Sequence, residues 1–528
     1  MTIGGCASRI AAAFNTPGFL LLLTALLTAI LVQPGEPGSI DTARRLQVTH
    51  SLWTSAPAYG EKDDPTFGIP GRNGNLYPGY GIGQSLIMLP ADIAGTLLVT
   101  RIPGLSQHAD LRKVFVTYTV SPIVCTLAVL LAFRFLKRLG FTPIQSIAGS
   151  LTLLFGTTFL HYTQNMMENN LELLLTLAGL CFQYEWVQTR SLAALLLGAL
   201  AFGANLLTRL TTVLDLLAAG LFVLLFLWFE GVRGPRLIPK LSQYVRVCIP
   251  CYAVFLGLDR LYNYHCFGTW SDSYVQRATE HYKMLNPATP PSFPWSTPFW
   301  TGFRGPLVTP EKSIFLFDPM LILLAIVAVI TWRYSKSGIK AYVLSLVTLL
   351  LAYVCFYAKF TVWSGDVAWG DRYVTTPVQL LAMISVPLLL QSSWNLPVGT
   401  WRVGISIIMI SAIIQISSVA LWYPLEFCQM KTAEGHSFVV GLRFKNIVAV
   451  AVGAMDKWHL TNDYTRSFGY RSKTPYLYPF LIRKAGSPKL IADALVFVWG
   501  TLLVSLFWVL YRIRVRISKM EIEEGSVP

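Results

Sequence analysis

Residues 38–53 read GSIDTARRLQVTHSLW and follow directly on the apolar run GFLLLLTALLTAILV at 18–32. An acid, two arginines and a histidine fall within ten positions at the end of a stretch that has the character of a membrane helix. Ser39 can cap a helix that carries Asp41 in its first turn. On that helix Leu46 and Trp53 can rest on a bilayer while Arg44, Arg45 and His50 face polar surroundings. The segment therefore reads as a helix lying along the membrane boundary and holding Asp41 there. A plainer reading stands beside it, in which Asp41 pairs with Arg44 or Arg45 at helical spacing and only neutralises charge.

Composition extends the membrane reading outward from this segment. The 528 residues are 54% hydrophobic and 13% charged, with a mean hydropathy of +0.52, a balance that water-soluble domains do not show. Apolar runs recur near 18–34, 82–100, 114–133, 144–160, 169–187, 191–229, 245–264, 314–333, 339–357, 373–392, 402–422 and 490–513, which predicts an all-α polytopic membrane protein of about twelve crossings. Residues 191–229 exceed one straight helix and contain Asn205 and Arg209, so a broken or re-entrant element fits there. The first run sits behind Arg9 with no convincing small-residue cleavage site, and reads as a retained helix rather than a secretory signal.

The net charge of +15 lies in short connectors such as GVRGPRLIPK, WRYSKSGIK and the tail YRIRVRISK, which the positive-inside rule assigns to the cytoplasm together with both termini. Segments 35–81, 265–313, 359–372 and 423–489 then face outward. The basic residues form no stripe with interleaved aromatics, which argues against a nucleic-acid surface. The eight cysteines are scattered and give no disulfide framework, and the C-x-x-C of Cys248 and Cys251 lies in an apolar helix as a pair of buried thiols. No internal repeat supports an inverted-repeat transporter.

The outward segments carry the polar chemistry. Glu61, Asp63 and Asp64 suit a hard divalent cation or the hydroxyls of a sugar, and equally a solvated loop tip. Tyr80 closes YPGY, and the glycines after it read as a tight re-entry, not a dinucleotide fingerprint. His161, Glu168 and Glu172 sit between two apolar runs, where acids often cap a helix. Arg209 inside a span points to a partner anion such as a lipid phosphate, or to Asp215 or a backbone carbonyl. Lys312 and Ser313 begin a helix in TPEKSIFLFDP and can hold a phosphate by charge, hydroxyl and backbone N–H groups. In WSGDVAWGDRY, Arg372 offers a planar fork for phosphate, and Trp363 and Trp369 can stack on a sugar or belong to an aromatic belt.

The ordered set DTARRLQVTHSLW, YPGYGIGQSLIMLP, ANLLTRLTT, TPEKSIFLFDP and WSGDVAWGDRYVTTP resembles the GT-C class of integral-membrane glycosyltransferases, which includes the protein mannosyltransferases and the aminoarabinose transferases. The resemblance runs to about residue 377 and implies a GT-C-like catalytic bundle over 1–422, an outward segment 423–489, and a last helix with a basic tail over 490–528. It implies an inverting transfer from a polyprenyl-phosphate-linked sugar to a glycan, lipid or protein hydroxyl on the outer face of the cell membrane. Asp41 matches the general base. Lys312, Ser313, Arg372 and Arg209 would hold the donor phosphate, and Arg44, His50, Asp63, Asp64, Tyr80, Glu168, Trp363, Asp366 and Trp369 would contact acceptor or sugar. Two departures are Glu311, where glycine is usual before Lys-Ser, and Asp371, where proline is common before Arg-Tyr. An acid beside each phosphate ligand weakens or tunes anion binding. A transporter or flippase of lipid-linked sugars would need ionisable groups spread through the spans, whereas here they gather at one interface. A non-catalytic lipid-sugar binder would keep the same fold.

Overall fold

The computed structural model describes residues 16–60, 67–104, 110–391, 396–430 and 438–525, and they are helical almost throughout. Among these residues the one sheet is a short antiparallel pairing of Ile69–Pro70 with Leu76–Tyr77. Among the described residues seven helices are long and apolar enough to cross a membrane, or eight if the pair Pro143–Gly156 and Phe159–Asn165, bent by 55°, counts as one span. Four shorter apolar helices join them: Pro17–Leu31, Leu192–Thr208, Met320–Tyr334 and Thr375–Leu389. The overlong stretch 191–229 proves to be two helices, Leu192–Thr208 and Val213–Phe229, parted at Arg209 by a single 3-10 turn.

The bundle is held by large side chains at its centre. Phe135 meets the ring of Tyr342 edge-on at 5.3 Å, and Phe222 and Tyr184 complete the cluster. The buried Tyr342 hydroxyl donates to the Leu380 carbonyl at 2.7 Å, as a polar group inside an apolar core must find a partner.

Local sequence explains the entry to the site. Thr16 caps helix Pro17–Leu31, with Pro17 in the first position where its missing N–H costs nothing. The chain turns at Gly35, in the left-handed region at φ 75°, and restarts at Ser39, whose hydroxyl accepts the Thr42 N–H at 3.1 Å. Helix Ile40–Ser51 follows with Asp41 in its first turn. Its side chains do not divide as an interfacial helix would. Leu46 is buried among Met88, Val116 and Met166, because the helix packs against Gly83–Arg101 and turns its apolar side to protein. Trp53 donates its indole N–H to Asp92 at 2.8 Å instead of resting on lipid.

Residues 420–430 and 438–484 form short helices with their own core around Trp422, Leu425 and Tyr476. They close onto the first turn of the chain. The buried Gln164 amide donates to the carbonyls of Val32, Val419 and Tyr476 at 3.0, 2.8 and 3.1 Å, and Glu36 pairs with Arg471 at 2.7 Å.

Candidate active site

Several helix ends meet beside Asp41 and enclose a cavity of about 650 Å³. The starts of Gly83–Arg101 and Asn169–Thr189, the end of Leu192–Thr208 and the end of Ser337–Tyr357 contribute Tyr80, Glu168, Arg209 and Tyr357 to its lining. The loop before Thr375–Ala382 adds Arg372 and Tyr373.

Both oxygens of Asp41 are engaged. Oδ1 accepts the Tyr80 hydroxyl at 2.6 Å, and Oδ2 accepts Arg372 Nη1 at 2.6 Å. One turn further on, Arg45 donates to Glu168 Oε2 at 2.8 Å and lies over the Tyr80 ring at 4.3 Å. Arg209 bonds the other oxygen of Glu168 and reaches Glu172 at 3.2 Å. Tyr357 and Tyr373 stack at 4.2 Å, and Arg209 and Arg372 both stand over the Tyr373 ring. The site is thus two linked ionic chains, Tyr80–Asp41–Arg372 and Arg45–Glu168–Arg209–Glu172, in an aromatic frame. The local pairing of Asp41 with Arg44 or Arg45 gives way to these tertiary partners.

Burial raises the Asp41 carboxyl, but the Arg372 and Arg45 guanidinium groups and the Tyr80 hydroxyl outweigh it and hold Asp41 well below the usual carboxylate range. The same surroundings, burial first and the Asp41 charge second, push the Tyr80 hydroxyl above its ordinary value. Asp41 is therefore a carboxylate that carries its charge and accepts hydrogen bonds.

No protein-family model matches the sequence, and no curated protein matches it. Among solved structures the chain is similar to the Archaeoglobus fulgidus oligosaccharyltransferase in complex with zinc and sulfate, at 14% identity and a TM-score of 0.49. That likeness covers 87% of this chain and 59% of the other, so the chain spans about three fifths of the oligosaccharyltransferase. It is also similar to ArnT from Cupriavidus metallidurans bound to undecaprenyl phosphate, at 11% identity and a TM-score of 0.41, over 89% of this chain and 75% of that one.

Of the residues singled out in the sequence, Asp41, Tyr80, Glu168, Arg209 and Arg372 line this one cavity. Lys312 and Ser313 do not. The Lys312 ammonium is 3% exposed and donates to the carbonyls of Asp366, Ala368 and Gly370 at 2.5, 2.7 and 3.1 Å, which occupies all three of its N–H groups. Burial pulls its pKa below the usual lysine value, with Asp371 and Asp366 opposing. Ser313 is committed to the Leu307 carbonyl at 2.7 Å. Lys312 thus tethers the loop that presents Arg372 and does not line this cavity.

The remaining candidates also lie elsewhere. Trp369 is 1% exposed, stacked on His161 at 6.0 Å with Arg443 over its ring, so no sugar can lie on it. Trp363 packs against Gly305. Asp366 is exposed at the turn of the tethered loop. Arg44 is buried over Phe67 at 4.1 Å. His50 Nδ1 lies 2.8 Å from Asp92, which also binds Trp53 and Arg112, in a second ionic node beneath the helix. Asp63 and Asp64, with Glu61, lie outside the described residues. Among the described residues no group of three or more His, Cys, Asp or Glu is arranged to hold a metal ion.

Arg45, Tyr357 and Tyr373 belong to the cavity and were not singled out as site residues. The signal for Arg45 was its place four residues after Asp41, on the same helix face.

Proposed function

We propose that this chain is an inverting membrane glycosyltransferase, moving a sugar from a polyprenyl-phosphate-linked donor to a hydroxyl of a glycan, lipid or protein. The observation that carries the reading is the contact of Asp41 with Arg372 at 2.6 Å, inside a cavity that also receives Arg45 and Arg209. A carboxylate base beside convergent guanidinium groups suits a reaction that needs a proton taken at one atom and a phosphate stabilised at the next.

In the proposed step the acceptor oxygen attacks C1 of the sugar while Asp41 takes its proton. The C1–O bond to phosphate breaks, and its electron pair leaves with the phosphate toward Arg372 and Arg209. One displacement inverts the anomeric centre and needs no covalent intermediate. Both Asp41 oxygens are occupied before substrate arrives. A donor phosphate that draws Arg372 away would free Oδ2 for the acceptor, so donor binding would precede activation of the base. Lys312 acts in this scheme by fixing the loop of Arg372. The cavity would open on the outer face, with both termini cytoplasmic.

The test uses purified protein, a labelled polyprenyl-phosphate sugar and a panel of acceptors. Wild type should give acceptor-dependent transfer, and Asp41→Asn should lose roughly 10²–10⁴-fold in rate, the scale of general-base catalysis, while still binding donor. Undiminished transfer by Asp41→Asn would remove that residue as the base.

A further inference from the structure

The charged groups described so far line the cavity engaged with one another. Helix Tyr274–Leu285 also lines the cavity, through Gln276, Thr279, Glu280 and Lys283. These positions follow the i, i+3, i+4, i+7 spacing of a single helix face. The wall is also set in place. Ser273 caps the helix through the Gln276 N–H at 3.2 Å, Arg277 pairs with Asp272 at 2.6 Å, and the Asp272 carbonyl accepts from Arg260 and Asn263. At its far end Lys283 donates to the Pro291 carbonyl at 2.8 Å and Tyr282 stacks on Phe293 at 4.9 Å.

The direction of this polar strip matters. A Cβ on Gly79 would stand 3.5 Å from Ala278 and 3.7 Å from the Tyr274 carbonyl, so the strip begins beside Tyr80, the hydrogen-bond donor to Asp41. It ends toward Pro294 and Trp295, which with Phe356 and Phe360 give the cavity an apolar end. A ligand spanning the two ends meets an amide, a hydroxyl and a carboxylate between them. The Thr279 hydroxyl donates to the Val275 carbonyl at 2.8 Å and so presents its lone pairs, while the Gln276 amide donates to Glu280 Oε1 at 3.4 Å and Arg277 reaches Glu280 Oε2 at 3.7 Å, long contacts that leave the Gln276 carbonyl oxygen and the remaining Glu280 lone pairs to accept. Closely spaced donors and acceptors on a rigid face match the vicinal hydroxyls of a sugar ring. They do not match a lipid chain, and among the described residues Lys283 is the one cation lining the cavity from this helix, with its ammonium donating to the Pro291 carbonyl.

We propose that the cavity face of helix Tyr274–Leu285, through Gln276, Thr279 and Glu280, recognises the hydroxyl groups of the sugar carried by the donor and sets which sugar is accepted. The inference rests on the glycosyltransferase reading and adds specificity residues to it.

The experiment compares binding of bare polyprenyl phosphate with binding of polyprenyl phosphate carrying a sugar, including epimeric sugars, to the full-length protein in detergent. The variants are Gln276→Ala with Thr279→Val, and Glu280→Gln, whose near-identical shape guards against misfolding. Each variant should bind the sugar-carrying lipid roughly tenfold more weakly, the scale of one or two lost hydrogen bonds, and should change the preference between epimers. Bare polyprenyl phosphate should bind as to wild type. Equal loss for both lipids, or no change for either, overturns the inference. Variants that match wild type on every donor while Asp41→Asn abolishes transfer would sink the sugar-reading wall alone. Wild type that distinguishes no sugar-carrying lipid from the bare phosphate and transfers nothing would sink the glycosyltransferase reading itself.

Discussion

Arg372 Nη1 sits 2.6 Å from Asp41 Oδ2, joining two residues 331 positions apart in the chain. With the Arg45 guanidinium nearby and the Tyr80 hydroxyl on the other oxygen, this contact offsets the burial that would make Asp41 hold a proton. Removing either neighbour leaves the burial that raises the carboxyl and takes away part of what lowers it. In Tyr80→Phe the acidic limb of the kcat/KM profile for sugar transfer should therefore move to higher pH, and in Arg372→Gln it should move further. A limb that stays where it is in both variants would mean that Asp41 does not set it.

The same depressed carboxyl has a consequence for stability. A group whose folded pKa lies below its unfolded value stabilises the fold above the ordinary aspartate value of about 3.9, and that contribution fades as pH falls toward the folded value. The stability difference between wild type and Asp41→Asn should be flat from neutral pH to about pH 5 and shrink as pH falls below about 4. Thermal unfolding in detergent across that window reads it directly.

Glu168 carries a heavier structural load. Its carboxylate is 2% exposed and bridges Arg45 and Arg209, so its loss takes the carboxylate from Arg45 and leaves Arg209 with Glu172 alone. Glu168→Ala should cost about 3–5 kcal/mol, the usual penalty for breaking a buried ion pair from one side. Glu168→Gln keeps the shape and one acceptor oxygen and should cost less. An alanine variant that unfolds at the wild-type temperature would show that Glu172 alone suffices for Arg209.

What could be read from the sequence follows a physical boundary. The Ser39 cap and the place of Asp41 in the first turn were legible because capping is decided within three residues. Arg209 was legible as a break in a helix, since an arginine in an overlong apolar run has to leave the lipid. The partner of Asp41 was not legible: local spacing offered Arg44 and Arg45, and only the fold brings Arg372 closer. Trp369 reads the same whether it stacks on a sugar or fills a core, and its burial against His161 and Arg443 comes from elements far away in sequence. The outward turn of Leu46 failed for a related reason, because an apolar helix side satisfies lipid and protein equally.

Lys312 gives the sharpest test of how the site is held. The sequence places it before a helix, where a lysine and a serine suit a phosphate, yet its ammonium is spent on three carbonyls of the loop that leads to Arg372. That loop takes left-handed backbone at Gly365, Asp366 and Gly370, with φ of 71°, 57° and 71°, a conformation that glycine adopts freely and aspartate more readily than most other residues. Without the tether the loop should relax and Arg372 should lose its fixed approach to Asp41. Lys312→Met should therefore weaken donor binding and lower the unfolding temperature together. The decisive measurement is a double-mutant cycle on donor affinity. If Lys312 works through Arg372, adding Lys312→Met to Arg372→Ala costs little more than Arg372→Ala alone. If Lys312 held the phosphate itself, the two losses would add, and the tethering role would have to be given up.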